Sequence, residues 1–248
     1  MIISYDTDIG MVRRENQDSV YAKQIDDNAA LLIVADGMGG HNGGKRASSS
    51  AIESIAQNIL SGYNALSSQE EFEELLRISV SSANQSIYDA AFVNSELKGM
   101  GTTTVVALVV DNTLYTANVG DSRLYVYSNG VLNQITTDHS YVESLVSKGI
   151  ISKDEAKTHP KKNIITRAVG SDEIVDIDIF KNQLSKDDVI LMCTDGLYGL
   201  VNEEEIIEVL NGDIEKAATN LVSMANENGG RDNIAVLLVE PQISEVIV

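Results

Sequence analysis

The sequence predicts a layered α+β fold in which β-sheets are covered by helices. Apolar and β-branched runs joined by short turns predict antiparallel strands through the middle of the chain, because neighbouring parallel strands need long crossover connections. Amphipathic helical patterns fall in two blocks, at about residues 44–91 and 203–226, before and after most of these strands. Helices with one apolar face need a sheet to cover, so this order of elements predicts layers of helix packed on sheet.

The strands are indicated by composition and by turn residues. Residues 30–35 form a continuous apolar run of strand length, and residues 102–110 are rich in Thr and Val, which favour strands. Asn129 and Gly130 form a strong hairpin signal between two further strands. The predicted strands are residues 30–35, 102–110, 113–119, 123–127, 131–135, 174–180, 189–194 and 234–239, with an early strand near Asp18.

The helices are indicated by apolar spacing and by capping residues. Residues 44–60 carry apolar side chains every four positions, which gives a helix one apolar face. Ser68 with Glu71, and Asn202 with Glu205, resemble the capping boxes that begin helices. The predicted helices are residues 44–60, 68–91, 140–148, 203–210 and 213–226. The polar stretch 140–163 contains the third of these helices and is predicted to be an insertion between strands.

Composition limits the class of protein and its environment. The formal net charge is −19, which argues against general nucleic-acid binding and against attachment to anionic membranes, because both need a basic surface. The single cysteine, Cys193, excludes an internal disulfide framework and suits a reducing cytosol. No apolar run approaches the ~20 residues of a membrane span, and the N-terminus lacks the pattern of a signal peptide. Without a linker-like stretch or a repeat, residues 1–248 are predicted to form one cytoplasmic domain.

Several aspartates lie where a predicted strand meets a loop, often next to glycine. Asp36 follows the strand at 30–35, and Asp195 ends the strand at 189–194. Aspartates in comparable settings are Asp18, Asp121 and Asp232. Clustered carboxylates repel one another unless a cation neutralises them. Hard oxygen ligands without a Cys or His pair favour Mg²⁺ or Mn²⁺ over Zn²⁺, and two such ions can activate one water for attack on phosphorus.

Each of these residues also has an ordinary interpretation. Asp-Gly after a strand is most often a turn. Arg13 and Arg14 are either solvated charges or a phosphate clamp, and His41 is either a loop histidine or a general acid. Cys193 lies in an apolar run, which favours core packing over a nucleophilic role.

The stretch from Gly39 to Lys45 matches the phosphate-binding pattern Gly-x-x-x-x-Gly-Lys, between a predicted strand and a predicted helix. The strand that ends at Asp195 even resembles a Walker-B strand, so a nucleotide hydrolase is the main alternative. Against it, Arg46 replaces the Ser or Thr that should hold Mg²⁺. The predicted hairpins also differ from the βαβ units of P-loop enzymes.

Eight stretches of the chain, taken together and in order, resemble the metal-dependent type 2C Ser/Thr protein phosphatases in their compact bacterial form. They include Asp36-Gly-Met-Gly-Gly-His41 and Thr194-Asp-Gly-Leu197. The full set is residues 10–18, 36–41 with 47–48, 101–103, 119–123, 138–140, 166–170, 194–197 and 229–233. The resemblance implies a four-layer αββα sandwich, with two antiparallel sheets flanked by pairs of helices. It also implies a flap at about 141–163.

The resemblance implies a dinuclear Mn²⁺ or Mg²⁺ centre at one edge of the sheets. Asp36 would bridge the two ions, and Asp195 and Asp232 would complete the first site. The Gly37 carbonyl would serve the second ion, with Asp18 nearby.

The resemblance also implies roles beyond the two main ions. Asp121 would help to hold a weaker third ion. Arg13 would bind the substrate phosphate, and His41 would assist protonation of the leaving group. Gly199 stands where some relatives place a further acidic ligand, which bears on the third ion. Gln17 and Lys45 stand where Glu is common.

The function implied is a protein-serine/threonine phosphatase that counteracts a Ser/Thr kinase. Its partners would be phosphorylated proteins and that kinase, and we expect a monomer. The second hypothesis is a catalytically silent relative that binds phosphopeptides. Silent members typically lose metal aspartates, whereas Asp36, Asp195 and Asp232 are all present.

Overall fold

Two antiparallel β-sheets form the centre of the structure, a computed structural model that describes residues 1–241 except for the side chains of His41 and Asn42. In chain order the strands are β1 (Ile2–Asp8), β2 (Asp18–Gln24), β3 (Ala29–Met38), β4 (Gly101–Thr102), β5 (Thr104–Val110), β6 (Thr113–Val119), β7 (Arg123–Ser128), β8 (Val131–Gln134), β9 (Asp178–Gln183), β10 (Val189–Cys193) and β11 (Ile234–Glu240). The first sheet has the order β1-β11-β10-β7-β8. The second has the order β2-β3-β5-β6-β9, with β4 paired to β3.

Helices cover the outer face of each sheet. They are α1 (Gly40–Gly62), α2 (Gln69–Val93), α3 (Tyr141–Ser147), α4 (Lys153–Thr158), α5 (Asp195–Tyr198), α6 (Glu203–Leu210) and α7 (Ile214–Glu227). Helices α1 and α2 pack on the second sheet, and α6 and α7 pack on the first. The order helix, sheet, sheet, helix confirms the expected four-layer α+β sandwich. Within the described residues, no helix has the length and apolarity needed to span a membrane.

The burial of β3 shows why its sequence is apolar at consecutive positions. Leu31 and Ile33 join the core between the second sheet and α1 and α2. Leu32 and Val34 join the core between the two sheets. Because successive side chains of a strand point to opposite faces, a strand covered on both sides is apolar throughout.

The predicted helix ends are largely confirmed. Ser68 with Glu71, and Asn202 with Glu205, form capping boxes at the starts of α2 and α6. Helix α1 begins at Gly40 rather than at residue 44, because Gly39 has a left-handed φ of 116° and ends β3 there. The helices α4 and α5 were not predicted, since each is shorter than two turns and carries little periodic signal.

Two predicted strands differ from the structure. The strand expected at 174–180 lies at Asp178–Gln183, where it pairs with β6, and Ile174 is exposed. The strand expected at 102–110 is interrupted at Thr103. Thr103 leaves the ladder because its backbone amide and its hydroxyl both bond the backbone of Asp36.

The predicted insertion lies between β8 and β9 and contains α3 and α4. Ser140 caps α3 and forms an isolated bridge with Ile165, which ties the two ends of the insertion together. The ring of Tyr141 lies 6.0 Å from that of His159, so the two ends of this segment also pack on each other.

Candidate active site

One cleft of about 590 Å³ lies where several strand ends meet. Its border is formed by the β1–β2 loop, the β3–α1 turn, the β6–β7 turn, the start of α5 and the turn before β11. The acidic residues that line it are Glu15, Asp36, Asp121, Asp195 and Asp232. Arg13, Gly37 and Asn163 line it as well. The strand ends therefore bring together residues that lie as much as 219 positions apart in the chain.

Asp18 lies behind this cleft. The register of β2 on β3 places Asp18 directly opposite Asp36. Asp18 is 2% exposed, and the Thr194 hydroxyl donates to its Oδ2 at 2.7 Å. Since Thr194 follows β10, this bond joins the second sheet to the first beneath the cleft.

The backbone of Asp36 is fixed by two threonines. Its amide donates to the Thr103 hydroxyl at 3.0 Å, and its carbonyl oxygen accepts from the Thr103 amide at 2.8 Å. The Thr102 hydroxyl donates to the same carbonyl oxygen at 2.8 Å. These bonds fix the backbone at the end of β3, from which the Asp36 carboxylate projects.

Asp121 and Asp195 are placed by tight turns. Asp121 follows Gly120, which has a φ of 108° and whose amide donates to Nδ1 of His139 at 3.0 Å. Asp195 begins α5, and the Gly196 after it lies so close to β11 that a Cβ would be 1.9 Å from the Asn233 carbonyl oxygen. Glycine is required there because any side chain would collide with backbone.

Burial and mutual repulsion oppose the ionisation of these carboxyls. Burial, followed by the charge of Asp195, raises the pKa of Asp121 to about 7. Burial, followed by the charge of Asp18, raises the pKa of Asp36 well above its ordinary value. Burial is also the first cause that raises the pKa of Asp18. For Asp195, burial is again the first cause that raises the pKa, and the charge of Asp232 is the second.

The donor set fits a hard divalent cation. Within the described residues, Oδ1 of Asp18 and Oδ1 of Asp195 are buried and have no hydrogen-bond partner. Also within residues 1–241, no three His, Cys, Asp or Glu side chains lie close enough together to form a group that could hold a metal ion without other ligands such as water. Ions such as Mg²⁺ keep several waters and take one or two carboxylates each, so carboxylates spread around an open cleft suit them better than a closed cage.

Arg13 contributes positive charge to the cleft, which Arg14 also lines. The Nη2 of Arg13 lies 2.6 Å from Oδ2 of Asp232, and the Arg13 side chain is 54% exposed. The hydrogen bond to Asp232 is the first cause that raises the pKa of Arg13, which therefore stays charged. An exposed guanidinium at the mouth of a cleft can reach a phosphate from solution.

The remaining sequence predictions have different outcomes. The backbone of His41 lies in α1, but its side chain falls outside the described residues, so its role stays a prediction.

The nucleotide-hydrolase alternative is wrong. Lys45 donates to the Asp18 carbonyl oxygen at 3.0 Å and to the Ser19 hydroxyl at 3.3 Å, so it is engaged with β2. Both sheets are also antiparallel, unlike those of P-loop proteins.

Two residues that the sequence predictions gave no role lie at the centre of this geometry. Thr103 fixes Asp36, and Asn233 bonds the β1–β2 loop. Both belong to stretches that carried the resemblance. The available signal was a small polar residue next to a candidate ligand, which sequence patterns do not separate from a turn residue.

Comparison with known proteins agrees with this geometry. The family model described as protein phosphatase 2C matches residues 13–238. The serine/threonine phosphatase stp of Listeria monocytogenes is 40% identical over 247 residues, which cover 99% of this chain and 98% of that protein.

Solved structures agree as well. A bacterial serine phosphatase crystal structure has a TM-score of 0.90 and 37% identity, covering 99% of this chain and 100% of the other. The catalytic domain of the serine/threonine protein phosphatase PstP, in complex with two manganese ions, has a TM-score of 0.82 and 32% identity, with 95% and 96% covered. With a family match over most of its length and relatives above 30% identity, the chain belongs to the protein phosphatase 2C family.

Proposed function

We propose that the chain is a Mn²⁺- or Mg²⁺-dependent protein-serine/threonine phosphatase that removes phosphate from phosphoserine and phosphothreonine in proteins. The observation that supports this most directly is the set of aspartates around one cleft beside Arg13, with buried carboxylate oxygens that lack a hydrogen bond. Among the described residues these oxygens have no protein donor, which is the arrangement that a cation would complete.

The residues proposed to hold the ions are those that the family resemblance implies. Asp36, on which the charges of the other four aspartates act, would bridge two ions, with Asp195 and Asp232 completing the first site. The Gly37 carbonyl and Asp18 would serve the second ion, and Asp121 would help to hold a weaker third. When bound, the ions supply an activated water for attack on phosphorus and stabilise the negative charge on the phosphate oxygens.

The protein's own groups orient the substrate. Arg13 would hold two phosphate oxygens with its planar guanidinium, whose geometry matches that of a phosphate. Because Arg13 also contacts Asp232, the phosphate it binds would lie beside a proposed metal ligand. Attack by water in line with the leaving oxygen needs no covalent intermediate with a protein side chain.

The cellular setting is also proposed. Residues 1–248 would act as one cytoplasmic, monomeric domain that opposes a Ser/Thr kinase on shared protein substrates. Residues 141–163 would form a flap beside the cleft, which is consistent with Asn163 among its lining residues. His41 would assist protonation of the leaving group.

A catalytically silent phosphopeptide-binding protein is the alternative. It is disfavoured because Asp36, Asp195 and Asp232 all line the cleft. A silent protein has no use for carboxylates whose ionisation is opposed by burial.

The experiment that tests the proposal is phosphate release from a phosphothreonine peptide by the purified protein. We expect turnover with Mn²⁺ and none with EDTA, and restoration of turnover when Mn²⁺ is added back in excess. Binding of the peptide without phosphate release in Mn²⁺ would favour the silent protein and reject the enzyme.

A further inference from the structure

One side chain holds both ends of the loop that carries Arg13. Asn233 is 7% exposed, and its Nδ2 donates to the carbonyl oxygens of Ile9 and Glu15, both at 2.9 Å. Its Oδ1 accepts from the backbone amide of Gln17 at 2.9 Å. We refer to residues 9–17 as the Arg13 loop.

The three contacts engage both the donors and the acceptor of the Asn233 side-chain amide. A side-chain amide has two N–H donors and one carbonyl acceptor, and the three bonds engage both kinds of group. Since Asn233 is buried, water cannot easily replace a lost bond, and a truncated side chain would leave backbone groups of the loop unpaired. The two ends of the Arg13 loop are therefore joined through one residue, which directly precedes β11.

The Arg13 loop also lies directly on the segment before β11. The Met11 amide donates to the Gly230 carbonyl oxygen at 2.7 Å. A Cβ on Gly10 would lie 2.2 Å from the Asp232 carbonyl oxygen, so the two backbones are in close contact. The Arg13 side chain is 54% exposed and its Nη2 lies 2.6 Å from Oδ2 of Asp232, so its position depends on this ion pair and on the loop that carries it.

We propose that Asn233 is a positioning residue for Arg13, which holds the guanidinium at the cleft for the substrate phosphate. This inference rests on the proposed function. A loop that is ordered before binding loses less conformational entropy when the phosphate arrives. Because Arg13 would bind the phosphate in both ground state and transition state, loosening the loop raises KM more than it lowers kcat.

The chain offers a matched control in Asn84. It is 2% exposed, its Oδ1 accepts from the Gly170 amide at 2.7 Å, and its Nδ2 donates to the carbonyl oxygens of Asp172 and Glu173 at 3.0 and 3.1 Å. This is the same pattern of one accepted and two donated bonds to a loop. The loop it holds does not line the cleft.

The test compares Asn233→Ala, Asn84→Ala, Arg13→Ala and the double variant at positions 13 and 233, with a phosphothreonine peptide and saturating Mn²⁺. We expect Asn233→Ala to raise KM about tenfold and to change kcat by less than about threefold, and Asn84→Ala to leave KM unchanged. In the Arg13→Ala background, the Asn233 change should alter KM by less than about twofold, because the side chain being positioned is already gone.

Asn233→Ser is the second variant, for use if the alanine variant does not fold. It keeps a small uncharged polar side chain that cannot make all three bonds of the asparagine, so KM should rise here too. Affinity for Mn²⁺, measured by calorimetric titration, should match that of the wild type in both variants. Equal KM changes in Asn233→Ala and Asn84→Ala, the same fold-change with and without Arg13, or a loss of Mn²⁺ affinity would overturn the proposal.

Hydrogen exchange of the Gln17 amide gives a readout that needs no turnover. It should lose protection in Asn233→Ala and keep it in Asn84→Ala, and retained protection in Asn233→Ala would overturn the inference. A wild-type protein that is folded but inactive with Mn²⁺ would instead reject the proposed function, which makes the two failures distinguishable.

Discussion

Single residues in the cleft are held where their charged forms are unfavourable. Burial and the charge of Asp195 raise the pKa of Asp121 from 3.8 to about 7. An unfolded chain would ionise this carboxyl normally. The folded protein therefore keeps carboxylates in an arrangement that costs stability and that a bound cation relieves.

Asp121→Asn should stabilise the metal-free protein, and the gain should depend on pH. A carboxyl whose pKa is raised in the folded state binds more protons there than in the unfolded state, so stability falls as pH rises from about 4 to about 7. We expect no difference from wild type near pH 3.5 and a gain of up to about 4 kcal/mol at pH 8, because each unit of pKa difference corresponds to about 1.4 kcal/mol. Urea unfolding of both proteins in EDTA, from pH 3.5 to pH 8, measures this difference in the free energy of unfolding.

The control for this pH dependence is Asp172→Asn, at an exposed position away from the cleft. It should change stability by less than about 0.5 kcal/mol at either pH. A gain in Asp121→Asn that is the same at pH 3.5 and pH 8 would contradict the charge argument.

Asp36→Asn should abolish activity and leave the fold intact. The backbone at position 36 is fixed by Thr102 and Thr103, so the strand does not depend on the carboxylate. Loss of the proposed bridging ligand removes several kcal/mol of transition-state stabilisation, which corresponds to about 100-fold or more in kcat.

Steady-state turnover with Mn²⁺, together with the thermal unfolding midpoint, checks the Asp36 prediction. Asp27→Asn is the matched control, because Asp27 is exposed in the turn that joins β2 to β3, away from the cleft. Turnover of Asp36→Asn close to that of wild type would remove Asp36 from the site.

At the level of secondary-structure elements, the junction of β3 and α1 is packed too closely for a side chain. A Cβ on Gly37 would lie 2.1 Å from the Gly44 carbonyl oxygen and 2.8 Å from that of Gln17. Both contacts are with backbone, so neither can be relieved by a change of rotamer. The strand end that carries Asp36 is thereby held against the N-terminal part of α1.

Gly37→Ala should destabilise the protein by about 2–3 kcal/mol and weaken Mn²⁺ binding, because β3 and α1 must move apart to admit a methyl group. Gly212→Ala is the control, since its Cβ would meet only the Val209 carbonyl oxygen, at 3.3 Å. Chemical unfolding and calorimetric Mn²⁺ titration measure both effects. Equal stability of the two variants would show that the junction is looser than the structure indicates.

The junction of β3 and α1 also shows which parts of the fold can be predicted from sequence patterns. Periodicity and capping residues predicted both helix pairs and most of the strands, because those signals are local. The start of α1 was predicted four residues late, since its first turn is made of glycines, His41 and Asn42, which carry no apolar period. Strand β1 was not predicted because it pairs with β11, more than 200 residues away, and its sequence is only half apolar.

The candidate site was predictable in its residue types but not in its geometry. Aspartates next to strands pointed to a cation site, and the structure brings four of the five predicted aspartates to the lining of one cleft. That Asp18 lies behind Asp36 depends on the register of β2, which the sequence does not specify. The role of Asn233 depends on contacts with a loop 216 to 224 residues away, for which a single sequence carries no signal.

For the whole molecule, the net charge of −19 opposes the approach of any anionic substrate. Attraction inside the cleft is short-ranged, through Arg13 and the bound ions, whereas the repulsion is spread over the surface. Salt screens the surface repulsion more than the attraction inside the cleft. The reason is that the Debye length falls from about 30 Å at 0.01 M to about 8 Å at 0.15 M ionic strength.

We therefore expect the effect of salt to depend on the charge of the substrate around the phosphorylated residue. Between 0.01 and 0.15 M ionic strength, kcat/KM should rise about two- to fivefold for a phosphothreonine peptide with acidic flanks and should fall for one with basic flanks. The value of kcat should stay constant for both peptides, because the reacting groups meet inside the cleft, where screening is weak. A parallel change in kcat/KM for the two peptides would mean that salt acts on the common contact between Arg13 and the phosphate, and that the surface charge has no part in substrate selection.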